Sequence, residues 1–149
     1  MKCCFFGHKD APSGIYVRLE QVIERLITES GVHFFYVGNQ GNFDRMVINA
    51  LRNMKEKYEY IRYNVVVAYM PRKSKAHHEE EYRESIVPEG IEFVHPKYAI
   101  AWRNKWMLNQ SSIVVTYVVH SRGGAAHYQS IAEKKKKSVI NLAQINGIN

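Results

Sequence analysis

Three glycine-bearing segments of this 149-residue chain each follow an apolar run, and their residue types suit the binding of an anion. They read GHKDAPSG at 7–14, GNQGNFD at 38–44 and HSRGGAAH at 120–127. Glycine lets backbone approach a ligand closely, and a helix that follows directs free N–H groups toward a phosphate or carboxylate. Each segment alone is better interpreted as an ordinary turn that uses glycine for its conformation. Three of them in one chain favour a ligand site.

Polar side chains in two of these segments are candidate ligand contacts. We predict that His8 contacts a base and Lys9 an anion, the alternative being that both are plain loop residues. Asp44 has two interpretations of equal weight, since it could stabilise the start of a helix or bond a ribose hydroxyl. Phe43 is predicted to be core rather than a base-stacking platform, and Trp106 and Tyr117 are predicted to be core as well.

Standard catalytic and nucleotide motifs are absent from the sequence. There is no G-x-x-x-x-G-K-[ST], GNQG does not match G-x-G-x-x-G, and no G-x-S-x-G elbow occurs. No array of residues has the spacing of a metal site. His77 and His78 precede three glutamates, and we interpret this acidic stretch as a solvated surface rather than as a metal site.

Apolar periodicity predicts strands and helices in alternation. Predicted strands cover 2–6, 32–37, 61–70, 113–119 and 139–142, with a short one at 91–94. Predicted helices run from Ser13, as a cap, to about 30 with Gly31 as the stop, then over 43–54, over 98–109, and from HSRGG to about 137. The polar stretch 72–90 has no clear period and is predicted to be an excursion or loop.

This alternation predicts a single α/β domain over 1–149, with a three-layer Rossmann-like fold and a mostly parallel sheet covered by helices. The predicted strands are continuous apolar runs, as expected where both faces of a sheet are covered. In such folds ligands bind at the carboxyl ends of the strands, where the strand order reverses. All three glycine segments would then lie on one edge of the sheet.

Composition favours a cytoplasmic protein of ordinary globular type. Hydrophobic residues make up 46% of the chain and charged residues 23%. No apolar run is long enough to span a bilayer. The first ten residues, MKCCFFGHKD, are interpreted as containing a strand rather than as a signal peptide. Cys3 and Cys4 are predicted to be free buried thiols, which fits a reducing compartment. The net charge of +7 favours anionic partners, but Lys134–Lys137 are predicted to be a solvated helix end.

FFGHKD near the amino terminus, FYVGNQGNFDRMV and RNKWMLNQSSIVVTYVVHSRGGAAH together resemble the SLOG superfamily, which links DprA to the LOG phosphoribohydrolases. Within it, the chain is most similar to the small YpsA-like branch, over Phe5 to Leu142. The resemblance implies a nucleotide or nucleotide-derived ligand at the carboxyl edge of the sheet, no required cofactor, and a homodimer as a candidate assembly. The ligand contacts that it implies are Gly7, His8, Lys9, Gly38, Asn39, Gly41, Asp44, Arg103, Met107, Gly123 and Gly124, and Arg122 is a further candidate that could pair with the charge of the ligand.

The chain departs from LOG enzymes at the residues that matter for catalysis. Arg122 replaces a proline and His127 a threonine of the P-G-G-x-G-T-x-x-E motif, and Ser130 stands where those enzymes carry a catalytic glutamate. A serine hydroxyl cannot act as an ionised base, so hydrolysis of the LOG type is doubtful. Glu133, three residues further on, and Arg103 are the remaining candidates for a catalytic role.

Three functional hypotheses follow. The first is a sensor or carrier that binds a nucleotide, with the glycine segments around its phosphate and Arg103 or Arg122 pairing with the charge. The second is an enzyme that cleaves an N-glycosidic bond. The third hypothesis, which the sequence favours least, is a DprA-like nucleic-acid-binding protein. It requires the lysines and arginines to form one face of the folded protein.

Overall fold

The computed structural model describes residues 1–69 and 84–144, and these form an α/β sandwich around one parallel sheet. Its strands are β1 (Lys2–Gly7), β2 (Phe34–Val37), β3 (Arg62–Val66), β4 (Ser85–Ile86), β5 (Ile113–Tyr117) and β6 (Ser138–Asn141). Its helices are α1 (Tyr16–Thr28), α2 (Gly41–Lys57), α3 (Ala99–Gln110) and α4 (Gly124–Lys134). The predicted fold class is therefore confirmed.

All neighbouring strands among the described residues run parallel, in the order β4-β3-β2-β1-β5-β6. The chain builds outward from β1 to β4 and then returns to the other side of β1 with β5. The order therefore reverses between β1 and β5, where Gly7 is aligned with Tyr117. The two strand ends open a crevice there, and this is where parallel sheets bind their ligands.

Helices cover both faces of the sheet, so each face has its own apolar core. Along β1, Cys3 and Phe5 pack with α1 and α2, whereas Cys4 and Phe6 pack with α3 and α4. This alternation follows from the two-residue period of a strand. The prediction that both cysteines are free and buried is confirmed, and burial raises the pKa of the Cys4 thiol to about 12.

Several predicted boundaries need correction. Ser13 does not cap α1, because a 3-10 turn over Ser13–Ile15 precedes the helix and Ile15 occupies the capping position without a side-chain bond. The helix ends at Thr28 with Glu29 as its C-cap, earlier than predicted, and Gly31, with φ of +66°, lies two residues beyond the cap. Phe43 is fully buried, as predicted, whereas Trp106 and Tyr117 are only half-buried and pack against the edges of the two cores.

The stretch from 84 to 98 departs most from the predicted elements. The expected strand at 91–94 is a 3-10 turn over Ile91–Phe93, closed by the N–H of Phe93 donating to the carbonyl of Gly90. The outer strand β4 lies instead within 72–90, where only a loop was expected. Residues 72–83 of that stretch, including His77 and His78, and the predicted end of the third strand at 70 lie outside the described residues.

Candidate functional site

A cavity of about 630 Å³ opens at the carboxyl edge of the sheet, at the reversal of strand order. We call it the central cavity. Its walls come from the segment after β1, the start of α2, one face of α3, and the segment leading into α4. Predicted site residues that line it are Gly7, His8, Lys9, Asp44, Arg103, Met107, Arg122, Gly123 and Gly124. Four separate segments of the sequence thus meet around one volume.

Asn39 and Gly41 line a different cavity, of about 470 Å³, between α2 and the end of β3. Gly38 lines neither, but it is buried between two polar groups of the central cavity. A Cβ there would lie 2.9 Å from Asp44 Oδ2 and 3.0 Å from Arg103 Nη1. Gly38 therefore allows a carboxyl and a guanidinium to approach the same stretch of backbone.

Gly41 joins the first two glycine segments. Its φ is +88°, and a Cβ would lie 2.7 Å from the Cα of Lys9. The N–H of Asn42 donates to the carbonyl of Lys9 across the same junction, at 2.8 Å. Glycine is required here because a side chain would be strained by the positive φ and would also collide with the neighbouring backbone. GNQG thus sets the position of the His8–Lys9 wall.

Arg103 forms the polar floor of the central cavity. Its side chain is 99% buried, and its Nε donates to Asn104 Oδ1 at 2.8 Å. Its Nη1 donates to the carbonyl of Val66 at 2.7 Å and to Asn39 Oδ1 at 3.2 Å. These bonds tie α3 to the ends of β2 and β3. Two of the three guanidinium nitrogens therefore bond to the protein itself. The third, Nη2, has no hydrogen-bond partner within the described residues.

Asp44 is the carboxyl of this floor. Its Oδ2 accepts a hydrogen bond from the N–H of Gln40 at 2.9 Å, just before α2 begins. This bond supports the interpretation that Asp44 stabilises the helix start, and the residue also lines the cavity. Burial raises the pKa of Asp44 to about 6, although the Gln40 bond and the charge of Arg103 both act to lower it. The carboxyl can thus change protonation near neutral pH.

His8 joins the wall after β1 to the wall after β5. It is 93% buried, and its Nε2 accepts a hydrogen bond from the N–H of Val119 at 3.0 Å. Its ring stacks on that of His120, with 4.0 Å between the ring centroids. Burial lowers the pKa of His8, His120 lowers it further, and Asp10 opposes both. The predicted contact of His8 with a base would have to use the other ring nitrogen.

The wall before α4 consists of the segment that leads into this helix and the first residues of the helix. Gly123, with φ of +91°, precedes the helix and Gly124 begins it, so unpaired N–H groups of the first turn face outward there. Arg122 is exposed, and no side-chain bond of its guanidinium is formed within residues 1–69 and 84–144. This arrangement presents a positive helix end and a free cation to the same cavity.

The two candidate catalytic residues are not brought to one place. Arg103 lines the central cavity, whereas Glu133 and Ser130 line an open groove on the β6 side of the segment after β5. Sequence reasoning missed seven polar or aromatic residues of the central cavity. Asp10, Gln40 and His120 lie inside the glycine segments, and Asn104 follows Arg103, so position could have indicated them. The other three are Phe5, Phe6 and Tyr128, and the stacked rings of Phe6 and Tyr128 form an apolar wall.

In the part of the chain that the structure describes, no group of three His, Cys, Asp or Glu side chains is arranged to hold a metal ion. No helix within the same residues is long and apolar enough to cross a membrane. No protein-family model matches this chain, and no curated protein is similar to it.

Proposed function

We propose that this protein binds a nucleotide or a nucleotide-derived ligand in the central cavity, as a sensor or carrier. The observation that carries the proposal is the meeting of an apolar wall, a polar floor and a positive helix end around one cavity. Its volume of about 630 Å³ is within the range of small-molecule sites, which are mostly apolar with a few converging polar groups. The resemblance to SLOG proteins supports the same ligand class.

The proposed binding mode divides the cavity by chemistry. A phosphate would lie against the start of α4, where Arg122 and the free N–H groups attract negative charge. A flat base would lie against the wall of Phe6 and Tyr128, whose rings stack 5.1 Å apart. Asp44 and the Nη2 of Arg103 would then contact polar atoms of the base or sugar. Arg103 positions the floor more than it binds the ligand.

The test has two readouts. The purified protein is denatured, and the supernatant is searched for retained nucleotides by mass spectrometry. Folded protein is then screened for thermal stabilisation with mono-, di- and cyclic nucleotides and NAD-related compounds. At a ligand concentration of about 100 times Kd, binding to the native state alone adds about 2.7 kcal/mol to the free energy of unfolding.

Two arginine variants show whether a hit binds in this cavity. Arg122→Ala is expected to reduce the stabilisation by a phosphate-bearing ligand. Arg25→Ala removes the same charge from an exposed position on α1 and is expected to leave it unchanged. The proposal fails if no nucleotide is retained and none stabilises the protein. It also fails if both variants respond alike.

The alternative is hydrolysis of an N-glycosidic bond, and one observation favours it. Asp44 lines the central cavity and has a pKa of about 6, which suits a general acid or base. Incubation of each stabilising nucleotide would then release a free base. Asp44→Asn should abolish the release while binding persists, and Asp10→Asn, which alters an exposed carboxyl in the same cavity, should retain it.

A further inference from the structure

The stacked imidazoles of His8 and His120 hold together two segments that leave adjacent strands. His8 follows β1 and His120 follows β5, and their rings are nearly parallel, at 14°. His8 is buried, whereas His120 is exposed. The pair therefore lies across the reversal of strand order, where the segment after β1 meets the segment after β5 in the lining of the central cavity.

Each ring accepts one backbone hydrogen bond from the segment after β5. The N–H of Val119 donates to His8 Nε2 at 3.0 Å, and the N–H of Arg122 donates to His120 Nδ1 at 3.3 Å. An imidazole nitrogen can accept only when it carries no proton. The accepting nitrogen of His8 therefore carries no proton in this arrangement, and the two bonds together define the path of 118–122 into Gly123.

A proton on His8 would oppose this arrangement in two ways. Protonated Nε2 would point an N–H at the N–H of Val119, so the bond that holds the segment would be lost. The cation would also lie against the second imidazole, and a second proton would place two positive charges 4.0 Å apart, measured between ring centroids. Burial acts in the same direction, because it disfavours the charged form of His8.

The groups facing His8 come from several elements. Asp10 and Lys9 belong to its own segment, and the edge of the Tyr117 ring approaches from β5. Asp10 favours the protonated form, and burial and His120 outweigh it, so the pKa of His8 stays below its ordinary 6.5. The charged and titratable groups that line the cavity from the remaining elements are Asp44 of α2, Arg103 of α3, Tyr128 of α4, and Arg122 of the segment that leads into α4.

We propose that the His8–His120 pair is a proton-sensitive clasp that fixes the segment after β5 at neutral pH and releases it, and with it the ligand, on acidification. The part about the segment stands without any ligand, whereas the part about release rests on the proposed function. Because the neutral form of His8 belongs to the folded arrangement, the clasp is intact above pH 6.5. It is lost as the pH falls through the lower pKa of the folded protein.

The first experiment needs no ligand. Amide and imidazole ¹⁵N signals are followed by NMR from pH 7.5 to pH 5. In the unmodified protein the amides of Val119 and Gly123 are expected to shift together with the His8 imidazole, at a midpoint below 6.5. In His8→Gln, whose Oε1 replaces the acceptor and does not titrate, these amide shifts should disappear. His33→Gln, the control, removes an exposed histidine just before β2 and should leave the amide shifts of Val119 and Gly123 unchanged.

His120→Asn is a second variant, milder for folding because His120 is exposed and Asn Oδ1 can still accept from Arg122. It removes the neighbouring imidazole, so the measured midpoint of His8 should move up toward 6.5. The clasp is refuted if the Val119 amide does not follow His8. It is also refuted if His8→Gln shows the same amide shifts as the unmodified protein.

The second experiment uses AMP as the probe and compares its Kd at pH 5.5 and pH 7.5. The AMP phosphate titrates in this range as well, so the useful quantity is the ratio of the two Kd values in each variant. Because the pKa of His8 lies below 6.5, at most one unit above pH 5.5, we expect the ratio to be larger in the unmodified protein than in His8→Gln, by at most about tenfold. The His33→Gln ratio should equal that of the unmodified protein.

The two experiments fail separately. Equal ratios in all three proteins would refute release of the ligand, even where the amides move. Absence of AMP binding at both pH values would refute the ligand half of the clasp, and absence of binding by every nucleotide of the thermal screen would refute the proposed function itself. Amide shifts that follow His8 would in that case still support the proton-sensitive segment.

Discussion

Asp44 shows how burial of a single side chain can couple folding to pH. Its carboxyl is 92% buried beside the guanidinium of Arg103, and it accepts one backbone hydrogen bond, from Gln40. Removal from water disfavours the charged form more than these neighbours favour it, so the folded protein holds this proton more tightly than the unfolded chain does. Such a group contributes stability that is fully present below pH 3.8 and is lost as the pH rises through about 6.

Asp44→Asn should remove this contribution. Between pH 4 and pH 7, the free energy of unfolding of the variant is expected to rise relative to that of the unmodified protein, by up to about 3 kcal/mol at 1.36 kcal/mol per pKa unit. Urea unfolding at a series of pH values measures the difference. Asp10→Asn, in the neighbouring segment, is the control and should keep the unmodified slope. If the free energies of unfolding of Asp44→Asn and of the unmodified protein differ by the same amount at every pH, Asp44 has an ordinary pKa.

At the scale of elements, the turn from β2 into α2 depends on the absence of a side chain at Gly38. A Cβ there would come within about 3 Å of both the Asp44 carboxyl and the Arg103 guanidinium. Neither group can retreat easily, because each is buried and hydrogen-bonded. Overpacking of this kind typically costs about 1–3 kcal/mol.

Gly38→Ala should accordingly lower the free energy of unfolding by about that amount and should also weaken ligand binding, because the floor of the cavity is displaced. Chemical denaturation and the nucleotide thermal shift check the two effects. Gly14→Ala is the matched control, since a Cβ at Gly14 meets nothing within 4 Å. Equal stability of the two variants would mean that Asp44 and Arg103 adapt without cost.

Sequence reasoning predicted the elements whose burial is strong and periodic, and it failed where local geometry decides. The β1 and β5 runs were found because both faces of these strands are covered, which leaves a continuous apolar signal. β4 was missed because two residues carry no period. The segment at 91–94 was misassigned because Gly90, with φ of +95°, turns an apolar run into a 3-10 turn.

The candidate site was predictable to a similar degree. Three glycine segments at strand ends must meet on one edge of a parallel sheet, and the central cavity lies where two of them leave β1 and β5. The division of roles within the segments was not predictable. Asn39 and Gly41 line a second cavity, and Arg103 donates three hydrogen bonds to other groups of the protein. Such roles depend on distances between residues that lie far apart in the sequence.

At the scale of the whole molecule, the distribution of cations decides whether the charge of +7 forms a nucleic-acid surface. Arg25 and Arg45 are exposed on α1 and α2, which cover one face of the sheet, whereas Lys105 and Lys134 are exposed on α3 and α4, which cover the other. Lys134 ends α4, whereas the helix was predicted to run to about 137, and the other three lysines follow the helix. Among the described residues the cations therefore do not lie on a single face.

Retention of DNA should accordingly be weak and without a preferred side. Each phosphate contact contributes about 0.9 to the salt slope, so a built DNA surface would lose affinity by orders of magnitude between low and moderate salt. We expect binding of single- or double-stranded DNA to be slight at low salt and absent at about 0.15 M, where screening is strong beyond about 8 Å. Arg25→Gln with Arg45→Gln, and Lys105→Gln with Lys134→Gln, each remove two charges from one face, and both double variants should weaken the low-salt signal equally. Loss of binding in only one of them, together with a steep salt slope, would instead identify a DNA surface on that face.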